Sequence, residues 1–141
     1  MSQFITPEDY DASIHAEILD SVIRSNRAAL ETLEDRAVAE MRGYLAGRYD
    51  VDAIFAARGA ERNQLVLMRA VDIAIYHAFC AHNPQKMSAV RLRRYDDALE
   101  WLRRAQTGEV SIDGAPRLEG AVAARADRFV MRSHPKRETR L

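Results

Sequence analysis

The 141 residues carry 21 basic and 21 acidic side chains, so the chain as a whole is neutral and selects neither nucleic acid nor an anionic surface by net charge. Its length and 48% hydrophobic share fit one globular core rather than two. Cys80 is the only cysteine, which excludes an internal disulfide and a four-cysteine zinc site and suits a reducing compartment.

Thr6-Pro7-Glu8-Asp9 reads as a helix start, with Thr6 as N-cap, Pro7 in the first turn and two acids at the positive end of the helix dipole. A short first helix to about Ser13 is expected. A second covers residues 16–24, with a break near Ser25-Asn26 before a longer one over residues 28–47. In that longer helix Leu30, Leu33, Ala37, Met41, Tyr44 and Leu45 share one arc. Residues 50–61 read as a loop or short turn, with Ile54 and Phe55 as an apolar plug. Residues 61–82 are apolar on nearly every side, which predicts a central helix covered all round and stopped by Asn83-Pro84. Its polar stripe is Arg69, Asp72 and Tyr76. Ser88 caps a further helix to about Thr107, ended by Gly108. Beyond it, residues 109–112 and 127–132 read as two short strands around the Asp113-Gly114 turn. The expectation is a mainly α chain: a four- to five-helix bundle over residues 1–112, carrying one short strand, and a C-terminal arm or tail over residues 113–141 that completes a small β-hairpin.

Arg94 lies between the angular positions of Ala98 and Trp101 and needs a partner on the packed side. Asp72, the only acid within the central helix, is the obvious one. A structural ion cluster of Arg48, Asp72 and Arg94, with Arg69 as a competitor, is therefore expected at a helix junction. His77, Cys80 and His82 are too few and too loosely spaced for a metal site. No phosphate-binding glycine loop, nucleophile elbow or HExxH motif occurs, so no catalytic, cofactor-binding or metal residue is assigned. Arg91, Arg93, Arg94, Arg103 and Arg104 give the last long helix a basic look that Asp96, Asp97 and Glu100 dilute, which leaves nucleic-acid binding as the second reading.

Charge becomes informative by position. Residues 1–20 hold Glu8, Asp9, Asp11, Glu17 and Asp20 and no Lys or Arg. Residues 117–141 hold Arg117, Arg125, Arg128, Arg132, Lys136, Arg137 and Arg140 against three acids. Glu8, Asp9, Asp11, Arg128, Arg132, Lys136 and Arg137 are therefore the candidate assembly contacts. Residues 1–11 show neither the basic nor the apolar region of a signal peptide, and the apolar stretch at 71–80 is interrupted by Asp72 and His77. A cytoplasmic site of synthesis without a membrane partner is expected.

Three stretches carry a family resemblance: FITPEDY at residues 4–10, GYLAGRY at 43–49, and VDIAIYHAF at 71–79 followed by RYDDALEWLRRAQTGEVSI at 94–112. In their order and spacing they resemble the Mu-like prophage gene-product-thirty-six family, small phage proteins similar to head-tail connectors or adaptors. The resemblance covers about residues 3–112. It implies a helical subunit without cofactor or catalysis that assembles as a homo-oligomeric ring at the portal vertex. Its implied partners are the portal and tail proteins, with DNA passing through the lumen without sequence-specific binding. The implied location is the host bacterial cytoplasm during assembly and then the virion neck; the second reading is a nucleic-acid-binding packaging protein.

Overall fold

A computed structural model describes residues 3–118. After a 3-10 turn at Pro7–Ala12, the chain forms α1 (Ala16–Ile23), α2 (Arg27–Leu45), α3 (Val51–Ala56), α4 (Gln64–His82) and α5 (Ala89–Thr107). Short 3-10 turns at Gly59–Glu61 and Pro84–Lys86 lead into the last two.

The helix starts follow from side-chain oxygens that accept otherwise unpaired backbone N–H groups. Asn26 accepts from Ala29, Asp50 from Ala53, Asn63 from Leu65 and Val66, and Ser88 from Arg91. Their ends are equally local. Arg24 and Ser25 both take left-handed backbone angles between α1 and α2, and Gly108 ends α5 at φ +87°.

The interior is built on α4. Val66, Ala70, Val71, Ile73, Ala74, Ile75 and Ala78 are buried around its circumference, because α1, α2 and α5 all pack on it. By length and composition this helix could cross a membrane; in the fold it is the covered core helix. α2 contributes Leu30, Ala37, Met41 and Leu45, and α5 contributes Ala98, Trp101, Leu102 and Ala105. At about 25 cal/mol per Å² of apolar surface removed from water, this shared core is the main stabilising term.

Two sequence expectations need correction. Residues 50–61 are not simply a loop: Asp50 caps α3, which buries Ile54 and Phe55, and the Phe55 ring meets Phe4 edge-on at 4.9 Å. Residues 109–112 do not form a strand, and the described residues contain no sheet. The backbone donors there are already taken, since Val110 N–H returns to the Arg104 carbonyl and Ile112 N–H donates to the Tyr49 hydroxyl at 3.0 Å. Instead, residues 115–118 come back over the α2–α3 link. There Tyr49 and Arg117 form an isolated bridge, and the Arg117 guanidinium sits 5.2 Å from the Tyr49 ring centre. Residues 127–132, the second expected strand, lie outside the described residues.

Arg48 fastens this end. It donates to the carbonyls of Gln106 (2.8 Å) and Thr107 (2.9 Å), the exposed acceptors at the negative end of α5. Its guanidinium lies so close to Gly108 that a Cβ there would stand 2.8 Å from Cζ. Gly108→Ala therefore meets both a left-handed backbone and a steric conflict. It should lower stability by about 1–3 kcal/mol in urea denaturation, and an unchanged midpoint would contradict this account.

Candidate functional site

Asp72 is 2% exposed, and Arg94 Nε donates to its Oδ1 at 2.8 Å. Arg91, one helical turn earlier, places NH1 3.9 Å from the same oxygen and donates through NH2 to the carbonyl of Ser13. A carboxylate on α4 is thus held by two cations on α5, one of which also grips the turn before α1. The hydrogen bond to Asp72 raises the Arg94 pKa, whereas burial draws that of Arg91 down against the pull of Asp72.

Two members of the expected cluster are elsewhere. Arg48 is at the C-terminal end of α5, because the unsatisfied carbonyls there are nearer to the end of α2 than Asp72 is. Arg69 places its guanidinium 5.7 Å from the Trp101 ring centre, a cation–π contact rather than an ion pair. Arg91, read from the sequence as part of a basic helix face, takes the place assigned to Arg48. Its i, i+3 spacing from Arg94 was the available signal.

A second polar lock ties down the N-terminus. Arg62 clasps Asp9 with two hydrogen bonds, NH1 to Oδ2 at 2.6 Å and NH2 to Oδ1 at 3.1 Å, and NH1 also donates to the Phe4 carbonyl at 2.7 Å. Asp9 Oδ2 accepts in addition from the Thr6 N–H (2.6 Å) and hydroxyl (2.9 Å). Burial alone would raise the Asp9 pKa, but the bonds from Arg62 and Thr6 outweigh it and hold the group below its ordinary 3.8. Asp9 is therefore an internal anchor rather than a free assembly contact. Glu8 and Asp11 remain on the surface. Arg128, Arg132, Lys136 and Arg137 lie outside the described residues.

Two further pairs were not anticipated. Tyr10 donates to Glu34 Oε2 at 2.5 Å in the interior, where desolvation raises the pKa of both groups. Glu34 falls four residues after Leu30 and three before Ala37, so its place on the apolar arc of α2 was legible. Glu40 accepts from the Tyr95 hydroxyl at 3.2 Å and faces His77 Nε2 at 3.1 Å, beneath the stacked rings of Tyr76 and Tyr95. Cys80 is exposed. No group of three or more metal-ligating side chains occurs among the described residues.

The basic helix also divides on inspection. Arg91 and Arg94 turn toward Asp72, while Arg103 and Arg104 pair with Glu100 at 3.4 and 3.1 Å. The model of the family described as Bacteriophage Mu, Gp36 matches residues 4–131. The chain belongs to this family. No curated protein matches it, and no solved structure does. Membership in the Bacteriophage Mu Gp36 family makes this a phage protein, and the match spans both polar locks and runs beyond the last described residue.

Asp72→Asn should cost about 3 kcal/mol in chemical denaturation. That is the low end for a broken buried pair, because Arg94 reaches solvent and only Arg91 is left largely buried. A parental midpoint would show that the pair does not hold the helices. Asp9→Asn should be less stable than the parent at pH 7. A depressed folded-state pKa supplies stability above the ordinary aspartate value of 3.8 and loses it as pH falls through the lower folded value. The two proteins should therefore converge in midpoint below pH 3.8 in a pH series of urea titrations, and a constant gap would contradict the assignment.

Proposed function

We propose that this chain is a head-tail connector or adaptor subunit that forms a homo-oligomeric ring at the portal vertex, between portal and tail proteins, with DNA passing through the lumen. The observation that carries the reading is family membership over residues 4–131, since the sequence motifs within that span are those that resemble connector subunits. The architecture supports it. Glu34 and Asp9 are committed to partners within the fold, and Asp72 bonds Arg94 through Oδ1 deep in the interior, so the reading places function on the outer surface. Such a subunit acts by assembly, with neither cofactor nor turnover, and works in the host cytoplasm and then in the virion neck without contacting a membrane.

The packaging-protein reading has less support, because four of the five arginines on α5 face carboxylates of the same chain. A dedicated duplex binder gains its affinity from unpaired cations set against phosphates.

Native mass spectrometry and negative-stain microscopy, alone and with the portal protein of the same phage, test the proposal. Closed rings of one stoichiometry, or a ring formed on the portal, are the expected result. A chain that remains monomeric at high concentration and does not bind that portal overturns it. Tight, steeply salt-dependent binding to duplex DNA without rings would favour the second reading.

A further inference from the structure

Residues 3–23 grip the rest of the chain at several points but are joined to it by one short link. Phe4 packs on Phe55, Asp9 pairs with Arg62, Tyr10 bonds Glu34, and the Ser13 carbonyl accepts from Arg91. α1 then lays Leu19, Val22 and Ile23 into the interior. The link is Arg24-Ser25-Asn26, and all three of its residues are exposed.

That link is strained. Arg24 lies at φ +54°, ψ +41°, and Ser25 at φ +59°. Helices often close through this left-handed conformation, but at glycine, which adopts it freely; two successive residues bearing a Cβ adopt it at a conformational cost. The sequence here does not itself demand a break, since residues 16–42 contain neither glycine nor proline. The Arg24 N–H already makes a helical bond to the Asp20 carbonyl. Continuation needs only Ser25, Asn26 and Arg27 to exchange their present acceptors, Asp20, Ile23 and Ser25, for the carbonyls of Ser21, Val22 and Ile23. In one continuous helix Leu19, Val22 and Ile23 would fall on the same arc, about 100° wide, as Leu30, Leu33 and Ala37, which α2 buries.

Straightening the link carries the arm off its own body, and the seat it leaves is complementary to an identical arm. We propose that residues 3–23 are an exchangeable arm: with residues 24–26 continued as helix, the arm of one copy seats on the body of a second copy of this chain and remakes there the contacts of the closed form. The closed structure itself selects this occupant, because every apolar and polar partner the arm gives up is returned in the exchanged form. The exchange also relieves two left-handed residues and joins α1 and α2 into one helix over residues 16–45, about 45 Å long. Against it stands the entropy of bringing copies together, so concentration favours it. A reciprocal exchange closes a pair, whereas an exchange passed in one direction from copy to copy is heterologous and propagates around a ring. The exchange itself does not depend on the connector reading.

A charge-reversal pair tests it in full-length chains. Asp9→Arg and Arg62→Asp each set like charges against one another in the closed form. In an exchanged pair made from one of each, the substituted arm meets the substituted body and the native arm meets the native body, so opposite charges face one another at both seats. The two variants are unfolded together in urea and refolded, alongside the same chains refolded apart. Native mass spectrometry should show mixed species in roughly tenfold excess over either self-pair, and the thermal midpoint of the mixture should recover most of what each variant lost. A mixture that behaves as the sum of its separate components overturns the proposal.

The link provides an independent check in chains with both charges intact. Ser25→Ala favours helix over the left-handed turn and should tighten self-association in sedimentation velocity roughly tenfold, while Ser25→Gly does the opposite and should weaken it by a similar factor. Equal association of the two, or the reverse order, counts against the arm. Complementation in chains that form neither rings nor portal complexes would keep the exchange and remove the connector reading. Rings assembled by chains that do not complement would do the reverse.

Discussion

Asp72 is the only acid on α4, and that helix is apolar on nearly every side. An ionised carboxylate there can be buried only if another element brings cations to it, because desolvating a lone charge costs far more than the helix gains by packing. α5 supplies them through Arg94 and Arg91, and Arg91 extends the same arrangement to the Ser13 carbonyl. One carboxylate thereby fixes the angular setting of α5 on α4 and the position of the turn before α1. Hydrophobic burial provides the larger share of the stability, but it is indifferent to a rotation of one apolar face upon another. The ion pair is not.

The N-terminus is secured by the same principle at the other end of α4. Arg62, just before the Asn63 cap, closes on Asp9 and the Phe4 carbonyl, and Phe4 in turn packs on Phe55 of α3. The acid-rich first segment is therefore divided in use. Asp9 is spent within the fold, whereas Glu8, Asp11, Glu17 and Asp20 remain at the surface. The internal charge pairs fix the N-terminal segment on the bundle, and the remaining acids of that segment are left exposed.

Arg48 illustrates how a sequence-level inference and a tertiary contact come apart. The sequence assigns it to the Asp72 cluster, whereas in the fold it donates to the carbonyls at the end of α5. The Gly108 backbone, the Arg48 fork and the returning residues 115–118 close that end of the bundle without a β-ladder. The expected strand fails for a concrete reason. Its donors were already claimed by the end of α5 and by the Tyr49 hydroxyl, neither of which a local alternation pattern can register.

The sequence by itself determined the positions of the long helices, the cap at Ser88, the stop at Gly108, and the apolar circumference that makes α4 the core helix. These depend on local hydrogen bonding and on a 3.6-residue period, both of which are written in consecutive residues. It also marked Asp72 and Arg94 as groups in need of partners, and the charge difference between the two ends of the chain. Only the tertiary structure decided which partner each charge took: Arg91 rather than Arg48 for Asp72, Arg62 for Asp9, and Tyr10 for Glu34. Those choices depend on distances between residues 19 to 53 positions apart, set by how three helices cross α4, and no pattern along the chain encodes them.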